Sequence, residues 1–129
     1  MSSLGARYRS RYRVPRALFW LAALLLSAET IIGTGCQQTR ALYAEAMFNL
    51  GVMYATGQGV AQDYQEALRW YRKSAEAGNA NAMTNLGVMY KDGLGVAQDD
   101  QEALRWYRKA ASLGSDAAKK RLNELGEQQ

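Results

Sequence analysis

The chain carries no histidine and one cysteine, which leaves few kinds of chemistry open to it. Without an imidazole there is no His-dependent triad and no His metal site, and the one thiol, Cys36, lies beside an apolar leader segment. Neither a glycine-rich phosphate cradle nor a carboxylate pair set in an evident cleft is present, so no catalytic residue, cofactor or metal is expected. What the residues do offer is amide chemistry in register. Asn49 and Asn85 each open a copy of NLGVMY, and a side-chain amide presents donor and acceptor together, the combination that clamps a peptide backbone. Val52 and Val88 follow three residues later and would give that clamp an apolar floor.

The elements that must hold these groups come from an internal repeat. Residues 44–79 lie over residues 80–115 without a gap, 26 of the 36 positions being identical, and QEALRWYRK at 65–73 returns at 101–109. A period in this range marks a solenoid, in which each unit buries its apolar face only by stacking on a neighbour. Each unit reads as two helices. The first spans residues 44 to about 56 and stops at Gly57, with Gly59 in the loop after it. Asp63, with Glu66 three residues on, opens the second as a capping box, and Gly78 ends it. Asp99, Glu102 and Gly114 repeat these signals. Ala118 and Leu122 stand in register with Ala46 and Leu50, so residues 116–129 form a partial third unit that caps the array, while residues 36–43 cap the other end. Two full units are few, since solenoids generally need about three.

On a wheel of about 100° per residue the second helix puts Ala67, Leu68, Trp70, Tyr71 and Ala75 in one arc, facing a core, and Arg69, Arg72, Lys73 and Glu76 in the other. The first helix has Ala46, Met47, Leu50, Gly51 and Tyr54 on its core side, with Gly51 and Gly87 small enough for the second helix to come close. Its other side is where the copies diverge, at Glu45/Asn81, Phe48/Thr84, Ala55/Lys91 and Thr56/Asp92. A held core with a changed outer face points to recognition. The candidate protein-binding residues are therefore Glu45, Phe48, Asn49, Val52, Thr56, Asn81, Thr84, Asn85, Val88, Lys91 and Asp92. The plainer alternative is a solvated face that has drifted; the retained valines argue against it, because solvent does not require them. Lys119, Lys120 and Arg121 read as a solvated outer face of the last helix and not as a binding patch.

The formal charge of +4 belongs to the N-terminus alone. Arg7, Arg9, Arg11, Arg13 and Arg16 precede every acidic residue, whereas from Cys36 onward 11 basic residues balance 11 acidic ones, so no nucleic-acid surface is implied. The arginine and tyrosine interleaving of RYRSRYR is the other reading of this stretch, as a nucleic-acid arm. An arginine flank followed by the apolar residues 17–28 is also what an export signal requires, and residues 1–35 are read as signal peptide or N-terminal anchor. Gly35-Cys36 is similar to the lipobox of bacterial lipoprotein signals, although Gly33 stands where such signals carry a large aliphatic residue and Glu29-Thr30 interrupts the apolar run. That resemblance implies lipidation of Cys36, palmitate included, with an uncleaved anchor and ordinary cleavage near Ala28 as the alternatives.

The repeat itself resembles the Sel-one-like repeat family, a relative of the tetratricopeptide repeat with a longer interhelical loop. The resemblance rests on Ala46, Leu50, Gly51, Tyr54, Gly57, Gly59, Val60, Asp63, Ala67, Trp70, Tyr71, Lys73 and Ala75, and on the same set in the second unit from Ala82 to Ala111. It implies an all-α, right-handed solenoid of helix-turn-helix repeats that acts as an adaptor for proteins or peptides, often exported in bacteria, with the first helices lining a concave surface. Some members carry a helix-bridging cysteine pair in each repeat, and this chain has none. The functional expectation is a non-enzymatic scaffold of the bacterial cell envelope with a protein or peptide partner and no nucleic acid or metal. It would be held as a periplasm-facing lipoprotein; the alternative is a structural assembly factor on an uncleaved helix, or a soluble periplasmic form.

Overall fold

A computed structural model describes the backbone of residues 16–126 and the side chains of residues 35–126. The arginine cluster at 7–13 and the side chains of the apolar leader lie outside these, and with them most of the expected signal segment. Among the residues described in full, no helix is long and apolar enough to cross a membrane. The chain divides into two compact units, residues 1–37 and 38–129, and the packing and clefts described below belong to the second.

Five helices and no strand are described: α1 (Arg16–Thr56), α2 (Tyr64–Glu76), α3 (Ala80–Asp92), α4 (Asp100–Ser112) and α5 (Asp116–Gly126). The first helix is longer than its repeat, since α1 runs unbroken through Cys36 and residues 37–43 into the first unit. It stops where the sequence places its stop, at Gly57 with φ 75°. Asp63 caps α2 by accepting from the Gln65 and Glu66 amides at 2.9 and 3.1 Å, and Asp99 does the same for α4. The capping box is only half formed. Glu66 and Glu102 turn outward to Arg69 and Arg105 at 2.7 Å, because the Asp63 and Asp99 amides already donate to the Tyr54 and Tyr90 carbonyls at 2.9 and 2.8 Å.

Successive helices pack antiparallel around one apolar core that includes Ala67, Tyr71, Leu86, Met89, Ala103, Tyr107 and Ala118. Tyr71 and Tyr107 lie in that core against Gly51 and Gly87. Ser74, fully buried, donates to the Ala44 carbonyl at 2.6 Å, and Arg40 donates to the Glu76 carbonyl at 3.0 Å, so residues 40–44 of α1 are fastened to the end of α2.

The two ends of the array differ. Ala82 and Ala118 are wholly buried, in α3 and α5, which follow α2 and α4. Ala46, expected in the core with them, is exposed, because no described helix precedes α1 to cover that side. At the far end the register carries the reverse instruction. Met47 and Met83 become Lys119, and Gly51 and Gly87 become Asn123, so the side of α5 that would face a following helix is polar.

Candidate protein-binding cleft

The proposed binding residues separate into two groups. Glu45, Phe48, Thr84 and Asn85 are engaged within the array. Glu45 accepts from the Asn79 side-chain amide at 3.1 Å. Phe48 packs against Tyr71 with the rings tilted by 38° and their centroids 5.8 Å apart. Thr84 is buried, at 8 % exposure, with its hydroxyl 3.0 Å from that of Ser115, whose oxygen in turn caps the Ala118 amide of α5. Asn85 is half-buried beside the Tyr71 hydroxyl, where it opposes the rise in that group's pKa that burial causes. Two of the four positions at which the copies diverge therefore serve contacts between neighbouring helices. Asn49 and Asn81 stay exposed, Val52 is half-buried, and Thr56 is exposed with its hydroxyl bonded back to the Val52 carbonyl at 2.8 Å.

Val88, Lys91 and Asp92 come together differently. With Tyr107 of α4 and Arg121, Glu124 and Leu125 of α5 they line a cleft of about 220 Å³. Its apolar surfaces are Val88, Leu125 and the buried ring of Tyr107. Its charges come in both signs. Arg121 pairs with Glu124 at 3.3 Å and Lys91 with Asp100 at 3.7 Å, and exposed pairs of this kind contribute little to stability and exchange readily for other partners. Burial holds the Tyr107 hydroxyl above its ordinary value of 10.0; Arg121 opposes that shift, and Asp92 and Glu124 add to it. At neutral pH the phenol is thus protonated and able to donate a hydrogen bond. Among the described residues no group of three or more acidic, cysteine or histidine side chains is placed to hold a metal.

Arg121, expected with Lys119 and Lys120 on a solvated face, is exposed and also lines this cleft. It stands in register with Asn49 and Asn85, so the signal was available: the position that projects from α3 toward Tyr71 projects from α5 toward Tyr107. Lys119 fits the solvated reading, paired with Asp116 at 2.9 Å on the exposed surface.

The model of the Sel1 repeat matches residues 44–79 and again 80–115. The chain belongs to the Sel1 repeat family. Proteins of this family are generally non-catalytic scaffolds that mediate protein interactions. Solved relatives agree with the fold. A Sel1 repeat protein from Oxalobacter formigenes is 41 % identical, with a TM-score of 0.62, over 64 % of this chain and 34 % of its own. A protective antigen of uropathogenic Escherichia coli with an SLR fold is 46 % identical, with a TM-score of 0.58, over 59 % of this chain and 16 % of its own. Cysteine rich protein B of Helicobacter pylori is 28 % identical, with a TM-score of 0.56, over 58 % of this chain and 56 % of its own. This Sel1 repeat chain thus spans about a third of the Oxalobacter protein and about a sixth of the Escherichia coli antigen. No curated protein matches it.

Proposed function

We propose that this chain is a non-enzymatic adaptor of the bacterial cell envelope that captures a protein or peptide on its first-helix face, at the cleft around Val88, Lys91 and Asp92. The observation that carries the reading is the composition of that cleft. An apolar floor from Val88, Tyr107 and Leu125 is rimmed by Lys91, Asp92, Arg121 and Glu124, which suits a polypeptide with an apolar side chain and polar backbone and lacks the convergent groups of a reaction centre. The test is photo-crosslinking from benzoylphenylalanine at position 91 of the full chain in the native envelope. A discrete adduct is expected, weakened about tenfold by Val88→Gln combined with Arg121→Glu and unchanged by Arg69→Glu and Arg105→Glu, both exposed on the opposite side of their helices. Loss with the arginine pair and retention with the cleft pair would move binding to the other face.

The envelope location rests on the leader and on Cys36, which is exposed and free. On this reading Cys36 is acylated after removal of residues 1–35. Radiolabelled palmitate should enter the full chain and not Cys36→Ser, and the mature mass should begin at residue 36. A mature protein of unchanged length without lipid supports the second reading, a structural assembly factor on an uncleaved anchor.

A further inference from the structure

The two interfaces at which one unit stacks on the next share a leucine pair and an arginine, and differ in the side chain that closes the contact. Between α2 and α3 the Tyr90 ring closes the contact: the Arg72 guanidinium lies 5.9 Å from the ring centroid and donates to the Tyr90 hydroxyl. Tyr90 packs on the core cluster that holds Leu68, buried at 7 % exposure, and Leu86, buried completely. Between α4 and α5 the corresponding residues are Leu104, Arg108, Leu122 and Leu125, and the position of Tyr90 is taken by Gly126. Among the described residues the contact there stands open. A cleft of about 430 Å³ lies among Leu104, Arg108, Leu122, Leu125 and Gly126. Leu104 and Leu122 are only half-buried, a Cβ built on Gly126 would meet nothing within 4 Å, and Arg108 has no partner among the described residues.

We propose that this cleft is a socket for a tyrosine side chain of a partner polypeptide. The chain itself supplies the filled form of the site, so the occupant's chemistry can be read from Tyr90: a flat ring to cover two leucines, and a hydroxyl at its far end to take a hydrogen bond from an arginine. A phenylalanine would cover the leucines and leave Arg108 unanswered. An acidic side chain would answer Arg108 and leave the leucines wet. The socket lies apart from the Val88 cleft, sharing only Leu125 with it, and does not depend on the reading given to that cleft.

The experiment titrates the full chain, in detergent, with N-acetyl-tyrosinamide and with N-acetyl-phenylalaninamide, following the methyl resonances of Leu104 and Leu122. The tyrosine probe should saturate and should bind about three- to tenfold more tightly than the phenylalanine probe, the difference being one solvent-exposed hydrogen bond. Arg108→Gln should abolish that preference while sparing the ring's contribution. Gly126→Tyr should fill the socket from within, blocking both probes and raising the melting temperature. The proposal is overturned by equal binding of the two probes to the wild type, by no saturable binding, or by a Gly126→Tyr chain that binds the tyrosine probe as before or melts no higher. Survival of cleft crosslinking in Gly126→Tyr keeps a failure here distinct from a failure of the adaptor reading.

Discussion

Gly87→Leu is expected to unfold most of the array at room temperature. The Cβ of any larger residue at this site would fall onto the Tyr107 ring, closer than atoms can approach, and Tyr107 is itself 1 % exposed, so the ring can yield only by leaving its packed position for the cleft it lines. The first unit has the same construction, a Cβ on Gly51 lying 2.5 Å from Cδ1 of Tyr71. Overpacking a filled core typically costs about 1–3 kcal/mol and occasionally more, and an array of two full units has little stability to lose. Gly87→Ala should therefore cost about 1–3 kcal/mol, and Gly87→Leu more than that. The clash with the ring makes a further demand. Tyr107→Leu alone should destabilise, yet in the Gly87→Ala background it should cost less, because the shorter side chain makes room for the new methyl. Urea unfolding of the four chains gives the coupling energy. Strict additivity would mean that the ring is not what the glycine accommodates.

That the glycines face a bulky neighbour was legible in outline, since a glycine that recurs on the apolar side of a good helix forgoes helix propensity and must gain a close approach in return. The same is true of the caps. Asp63 and Asp99 stand in the same place before the same sequence, and a carboxylate there accepts the free amides of the first turn whatever the rest of the chain does. Contacts between neighbouring units are harder to read. Phe48 and Thr84 look like members of a variable outer face, but one packs against Tyr71 and the other bonds Ser115. Divergence between copies reads identically in sequence whether it serves an outside partner or the next helix along. Ala46 shows a different limit, because a helical wheel treats every turn as interior and does not record that, among the described residues, no helix packs ahead of the first unit. Arg121 is obscured by composition: beside two lysines it reads as part of a solvated run, and only its register with Asn85 connects it to the cleft.

The asymmetry between first and second units can be measured directly in their loops. Gly59 and Gly95 occupy the same position with the same left-handed backbone, φ 74° and 68°, so alanine at either must bear the same conformational strain, about 1–2 kcal/mol. Their surroundings differ. A Cβ at Gly59 would meet only the flexible end of Met53, at 3.6 Å, whereas one at Gly95 would lie 2.6 Å from the Tyr64 carbonyl carbon, 2.7 Å from its oxygen and 2.9 Å from the Gln65 amide nitrogen. Those are backbone atoms in the first turn of α2, held in place by the Asp63 cap, and they cannot yield as a side chain can. The loop of the second unit thus packs on the second helix of the first, a contact that the loop of the first unit lacks among the described residues. Gly59→Ala should cost about 1–2 kcal/mol, and Gly95→Ala roughly twice that, the excess being overpacking against main chain. Chemical denaturation of both variants, with the folded baseline checked by circular dichroism, reads the difference. The excess should also come with faster amide exchange at Gln65 and Glu66, since pushing Gly95 outward disturbs the turn it rests on. Equal losses at the two glycines, with exchange at Gln65 unchanged, would mean that the units do not touch through this loop and that the helices alone hold the stack together.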